Sequence, residues 1–203
     1  MNKKLLAFSL GDGHVRPNGE LDIKHCLEQK EYCLWKYEQL REYCTNNPPR
    51  EKSQGQYDYI TFNTRHLDSL KEIHKKLYGV LGKKYFSKEI VDNMDWFSFA
   101  VLYMDDGSLT AKKREGKVHA YDLVISIYGE KSECENLINK LNSFDGLKFG
   151  LKFNKNKYSI RCGTKSARKF LEYIKPYCPN FKCFSNTKFK PILVGSNSET
   201  ARA

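Results

Sequence analysis

No stretch of this 203-residue chain is long enough to span a bilayer as a helix. The longest strongly apolar run, Trp96 to Met104, is closed off by Asp95 and Asp105 and falls far short of about 20 residues. A membrane protein is not expected. The seven cysteines (Cys26, Cys33, Cys44, Cys134, Cys162, Cys178 and Cys183) include no Cys-x-x-Cys pair, and no histidine stands at zinc-finger spacing from them. They read as reduced thiols, several of them buried, in an intracellular protein. The opening segment MNKKLLAFSLGDG has a basic start and a short apolar run, yet it lacks a small-residue cleavage site and breaks at Gly11-Asp12. It reads as part of the fold, not as a signal peptide.

Acidic residues are also in short supply. Asp plus Glu number 24 against 35 Lys plus Arg, a formal charge of +11, which suits a surface that meets a polyanion. Nucleic acid is the leading partner. With 40% hydrophobic residues the chain has enough apolar material for a folded core.

What the chain does contain is one unit written twice. Leu5 to Gly13 reads LLAFSLGDG and Phe99 to Gly107 reads FAVLYMDDG, each an apolar helical stretch ending in Asp-Gly, with Asp12 and Asp106 94 positions apart. A hairpin follows each. In the first, Pro17-Asn18-Gly19 is the turn between HVR and ELDIKHCL. In the second, Lys112 to Lys117 separates SLTA from the alternating segment Tyr121 to Tyr128.

Helices are predicted over 32–40 and 134–141 from their apolar spacing. Strands are predicted over 57–63 and 157–163, where Ile60 and Thr64 match Ile160 and Thr164 at a shared offset of 100. A pairing strand over 149–153 has no clear equivalent in the first half. Closing helices over 65–78 and 165–173 each follow a threonine suited to N-capping. The fold class is therefore α+β, built from two αββαββα repeats over residues 1–92 and 93–194, with a polar tail over 195–203, disordered or loosely attached.

Either Asp-Gly alone is an ordinary helix ending. The pair asks for more. An aspartate at a helix C-terminus faces the negative end of the helix dipole and needs a cation to offset it. Both preceding helices are apolar nearly all round and should be buried. In the first, Ala7 and Gly11 lie four apart, giving a face on which another backbone can come close. Repeats packed by these helices would set the two carboxylates side by side, where they repel unless hard cations are shared; oxygen ligands select magnesium or a similar ion. A basic residue recurs after each closing helix, Lys84 in Gly82-Lys83-Lys84 and Lys182 in Asn180-Phe181-Lys182, placed to organise water or stabilise charge on a phosphate.

With these features the sequence resembles the LAGLIDADG homing endonucleases, specifically the single-chain kind with both motif copies. LLAFSLGDG and FAVLYMDDG fill the nine motif positions, with Asp12 and Asp106 at the eighth; LGDGHV, WFSFAVLYMDDGS and IKPYC agree, so the resemblance covers nearly the whole chain. It implies that Asp12 and Asp106 hold Mg2+ (or Mn2+) and are catalytic together with Lys84 and Lys182. Position seven, Gly11 in one copy and Asp105 in the other, belongs to the same metal site, with Asp105 behind the ion or structural. The segment after Pro179 is shorter than the family's usual stretch, so Lys188 is the fallback for Lys182.

The resemblance further implies four-stranded sheets forming a saddle over the DNA major groove, pseudo-twofold symmetry within a monomer, a long and nearly unique double-stranded target, and cuts across the minor groove that leave short 3′ overhangs. Arg16, Lys24, Lys112, Lys113, Arg114, Lys117, Lys148, Lys152, Lys155, Lys157 and Arg161 are placed to bind DNA. His14 is structural or DNA-contacting. The residues of intein splicing are not evident at the chain ends, which points to a free-standing or intron-encoded protein, in a bacterial or phage-host cytoplasm or an organelle. The alternatives are a non-cleaving relative, such as an intron RNA maturase or a transcription factor on the same fold, and an unrelated basic RNA binder using its many Tyr and Phe for stacking.

Overall fold

The structure is a computed structural model that describes residues 1–79, 82–127, 129–154, 156–181 and 183. Among them, no helix is long and apolar enough to cross a membrane. The chain divides into two compact units, Met1–Asp105 and Asp106–Ala203.

The first unit runs α1 (Lys3–Leu10), β1 (His14–Val15), β2 (Leu21–Cys26), α2 (Lys30–Leu40), β3 (Arg50–Gln54), β4 (Tyr57–Asn63), α3 (Asp68–Leu77), α4 (Lys88–Asp92) and nearly all of α5 (Trp96–Asp106). The second runs β5 (Gly107–Arg114), β6 (Lys117–Ile125), α6 (Lys131–Asn142), β7 (Gly150–Asn154), β8 (Lys157–Gly163) and α7 (Thr164–Ile174). Each unit holds one four-stranded antiparallel sheet, ordered β1-β2-β4-β3 and β5-β6-β8-β7. The α+β class and the twofold use of αββαββα are therefore as the sequence pattern indicates. The packing boundary at 105/106 differs from the repeat boundary at 92/93 because α5, the helix that opens the second sequence repeat, packs with the first unit.

That packing follows from hydropathy. In α1, Leu5 through Leu10 are all buried, and in α5 so are Ser98 through Met104. A helix with no polar stripe has no solvent face to offer. The Phe8 ring meets Phe97 edge-on at 5.5 Å and Trp35 of α2 at 5.7 Å, which ties the three helices together. Each Leu or Phe so buried contributes roughly 1.5–3 kcal/mol of transfer free energy.

The sheets are one-sided. In the first, Leu21, Ile23, Ile60 and Phe62 face the helices, while Lys24, Thr61, Arg50 and Lys52 share the other face through the registers Lys24↔Thr61, Arg50↔Thr61 and Lys52↔Tyr59. In the second, Leu109, Leu123, Ile160 and Cys162 face inward, and Thr110, Asp122, Ser159, Arg161 and Lys152 face outward. The second hairpin turns at Glu115-Gly116, both left-handed (φ 52° and 78°), as a two-residue turn between twisted strands requires. Strand β6 begins earlier than the alternation suggests, at Lys117, and ends at Ile125; Tyr128 and the tail over 195–203 lie outside the described residues.

Two local expectations are corrected. Thr64 and Thr164 do not cap helices: α3 starts at Asp68 behind Leu67, and Thr164 is itself the first residue of α7. Their hydroxyls instead accept the backbone N–H of Leu21 (3.0 Å) and Tyr121 (2.8 Å). The missing fourth strand of the first sheet is β3, whose five residues REKSQ are all exposed, so no apolar alternation announces it.

Candidate metal centre and nucleic-acid face

Asp12 stands just past α1, and the loop that carries it is held by its carbonyls from one side. Lys84 Nζ donates to the carbonyls of Leu10 (3.2 Å), Gly13 (2.6 Å) and Gly11. An ammonium here offsets the partial negative charge at the end of α1, an effect of about 0.3–1 kcal/mol at an exposed helix end. The backbone of Lys84 is itself fixed against the end of α3, bridging Tyr78, with Tyr85 N–H donating to the Leu77 carbonyl at 2.6 Å.

The loop's N–H side is held by Asp105, whose Oδ2 accepts the Asp12 N–H at 2.9 Å. Asp105 Oδ1 accepts from the Tyr32 hydroxyl (2.7 Å) and from Lys36 Nζ (2.6 Å), and the Lys36 and Asp105 side chains are both fully buried. Burial by itself raises the Asp105 carboxyl's pKa, but the Lys36 ammonium, with help from the Tyr32 hydroxyl, overrides it and holds the group below the ordinary carboxylate value. Gly11 lies directly under this side chain. A Cβ at Gly11 would fall on the Asp105 carboxylate, 2.7 Å from its Cγ.

His25, on the inward face of β2, completes the cluster. Its Nδ1 lies 3.7 Å from Asp12 Oδ2 and 2.9 Å from Gln29 Oε1, and its ring tilts over Tyr32. Asp12, His25 and Asp105 each bring one ligand atom within 4.8 Å of the others. Of the three, the Asp12 carboxylate suits a hard divalent ion: its side chain is 40% exposed, leaving room for the water and phosphate oxygens such ions retain, whereas both Asp105 oxygens already accept hydrogen bonds. The Gly11 carbonyl already accepts from Lys84, which leaves one lone pair for an ion.

In the second unit, Asp106 is the last residue of α5. Its carbonyl accepts the Ser126 N–H at 3.1 Å, and Gly107 pairs with Ile125, so its backbone is anchored at the start of the second sheet.

Residues 8–170 match the model of the LAGLIDADG DNA endonuclease family, a span that holds most of the first motif copy and all of the second. The chain belongs to that family. Among solved structures it resembles the homing endonuclease I-WcaI bound to its DNA recognition sequence, with a TM-score of 0.74 at 24% identity over 87% of this chain and 81% of that one. It also resembles the LAGLIDADG meganuclease I-AabMI bound to uncleaved DNA, with a TM-score of 0.52 at 14% identity over 86% and 83%. At these identities the likeness is one of fold. Curated relatives include Protein RecA of Mycolicibacterium flavescens, 25% identical over 85% of this chain and 43% of that protein, and Protein RecA of Mycobacterium shimoidei, 30% identical over 54% and 26%. The chain spans less than half the length of these relatives.

The basic residues of this LAGLIDADG chain fall into distinct settings. Lys24 lies on the outward face of the first sheet, 3.7 Å over the Tyr59 ring. Arg16 pairs with Asp22 (2.6 Å) and Glu20 (3.1 Å). In the second sheet Arg161 and Lys112 approach Asp122 from two sides, at 3.4 and 3.9 Å. Lys152 and Lys157 share that face with them. Lys113, Arg114 and Lys117 form the exposed hairpin tip, and Lys148 is exposed just before β7. Lys155, Lys182 and its fallback Lys188 lie outside the described residues. His14 is exposed, with Nδ1 3.3 Å from the Tyr78 hydroxyl.

Four kinds of site residue escape the sequence reading. Arg50 and Lys52 go with the unrecognised β3. Asp22 and Asp122, equivalent positions, orient basic side chains on the two outward faces. Lys36 carries a usable signal, since Tyr32, Cys33, Lys36, Tyr37 and Leu40 form one buried helical stripe, and a charge on such a stripe demands a partner. His25 has a fainter one, standing between Ile23 and the exposed Cys26 on an inward position of β2.

Proposed function

We propose that this protein is a site-specific double-strand DNA endonuclease, a phosphodiester hydrolase that works as a monomer on a long target and uses Mg2+ or Mn2+. The observation that carries the reading is the setting of Asp12. It is an accessible carboxylate at the end of a buried helix, its loop fixed by Lys84 and Asp105, in a family chain whose second motif copy has Asp106 at the same position. One aspartate serves each strand.

When bound, a divalent ion supplies a water of lowered pKa and neutralises charge on the phosphate. Asp12 would hold it, with His25 and the second lone pair of the Gly11 carbonyl within reach. Lys84 keeps the loop carbonyls oriented, and no histidine has to act as general base. On each sheet the outward face supplies the nucleic-acid contacts: Lys24, Arg50 and Lys52 with Tyr57 and Tyr59 in the first, Lys112, Lys152, Lys157 and Arg161 in the second. Phosphate contacts of this kind supply affinity, and side chains alternating along strands reach base edges. Intron homing is the biological role this activity serves, and the seven free thiols suit a reducing intracellular compartment.

The test is cleavage of a randomised duplex library with Mg2+ or Mn2+, repeated with Asp12→Asn and Asp106→Asn. Double-strand breaks at one long site, lost in either variant, support the reading. Specific binding without cleavage under every divalent ion would overturn it and leave a non-cleaving nucleic-acid binder, with intron RNA as the next ligand to assay.

A further inference from the structure

We infer that Lys36 and Asp105 form a positioning pair for Asp12: a buried, internally neutral ion pair whose carboxylate Oδ2 accepts the Asp12 N–H, fixes the Asp12 peptide and thereby aims the Asp12 carboxylate. The inference rests on the reading of Asp12 as the ion-holding residue and adds two side chains to that site.

Three observations carry it. Both charges are completely buried, yet a buried ion pair is a poor device for stability, since well-packed apolar replacements are often neutral or stabilising. A local purpose is called for, and the third contact of Asp105 shows it: Oδ2 takes the Asp12 N–H at 2.9 Å, while Oδ1 is committed to Lys36 and Tyr32. Space gives the third. Gly11 and Asp105 occupy position seven of the two motif copies, and the carboxylate of one fills the volume that the absent side chain of the other leaves open. The loop is thus gripped at its carbonyls by Lys84 and at its N–H by Asp105.

Lys36 has a distinct part in this. A bare carboxylate accepting the Asp12 N–H would lie beside the Asp12 carboxylate, within the 4.8 Å spread of the cluster, and repel it. Lys36 cancels that charge from the buried side of Asp105, where its own side chain is fully enclosed.

The experiment uses the full chain and two paired variants. K36M/D105L removes both charges and the acceptor; K36M/D105N removes the charges and keeps an amide oxygen for the Asp12 N–H. Hydrogen exchange of the Asp12 amide is measured by NMR without metal, Mn2+ affinity by EPR, and folding by thermal melting. In K36M/D105L we expect the melting temperature to hold, Asp12 exchange to quicken at least about tenfold, and Mn2+ affinity to fall roughly 10–100-fold, the usual cost of losing a residue that orients a metal ligand. K36M/D105N should recover most of both. Unchanged Asp12 exchange in K36M/D105L overturns the inference, as does weakened Mn2+ binding in both variants with Asp12 protection intact, which would make Asp105 a ligand. If wild type neither binds Mn2+ nor cuts DNA, the proposed function fails, while the metal-free exchange data still decide the pairing.

Discussion

Thr64 clasps Leu21 at two points: its hydroxyl accepts the Leu21 N–H at 3.0 Å, and its own N–H donates to the Leu21 carbonyl at 3.1 Å. The bond recurs one repeat later, where Thr164 Oγ1 accepts the Tyr121 N–H. A side chain here finishes the ladder at the point where each fourth strand leaves for its helix. Thr64→Val keeps the shape and removes the acceptor, leaving a buried N–H unsatisfied at a cost of about 1–3 kcal/mol. Urea unfolding should show that loss, with Thr64→Ser close to wild type. Thr164→Val should cost less, because its partner is only part-buried.

Lys84→Met removes an ammonium shared among three carbonyls at the end of α1. Hydrogen bonds to charged groups contribute roughly 1.5–3 kcal/mol each, and water can replace part of that at this half-exposed site. A loss of about 2 kcal/mol in stability is expected, with a lower cleavage rate at saturating DNA. Lys84→Arg should not restore the rate, since a planar guanidinium cannot converge on three carbonyls as a compact ammonium does. Single-turnover kinetics beside thermal melting separate the two effects.

Arg50 and Lys52 lie on an exposed strand whose side chains contribute nothing to the core. The double variant R50A/K52A should melt with wild type and bind DNA more weakly at every sequence. Its log affinity against log salt should lose roughly 0.9 in slope for each phosphate contact removed. Fluorescence anisotropy across a salt series measures this; an unchanged slope would take β3 out of the DNA face.

Burial pushes the Cys33 and Cys162 thiols up to about 12 from an ordinary 9.0. A thiol whose pKa is higher folded than unfolded binds a proton in the folded state that the unfolded chain has released. Its stabilising contribution is complete below pH 9 and fades as pH climbs toward about 12. The melting temperature should therefore fall over this range, and less steeply in C33V/C162V. At pH 8 iodoacetamide should modify exposed Cys26 first and leave Cys33 and Cys162 unreacted in the native protein.

Much of the fold is written in local pattern. Strands β4 and β8 occupy 57–63 and 157–163, as read from alternation and the offset of 100. The polar strand β3 is held by backbone pairing to β4 and gives no hydropathy signal. Thr64 and Thr164 look like caps because threonine serves either end of a helix or the end of a ladder, and only the tertiary neighbour decides. At the site, Asp12 and Gly11 are legible as motif positions and Lys84 as the basic residue after the closing helix, whereas Lys36 and His25 acquire meaning through partners 69 and 13 residues away. Lys36 lies on the buried stripe of α2 and Asp105 in the last turn of the apolar α5, and each supplies the counter-charge that the other's burial requires.

The Lys36–Asp105 contact also sets where the chain can be divided. A fragment ending at residue 92, the close of the first sequence repeat, would retain the buried ammonium and lose its carboxylate. It would also expose the faces of α1 and α2 that cover Phe97. A fragment that keeps the pair intact has to extend through Asp105, where the first compact unit ends. The first copy takes its counter-charge from the opening helix of the second, so the boundary between the sequence repeats is not a boundary of charge pairing.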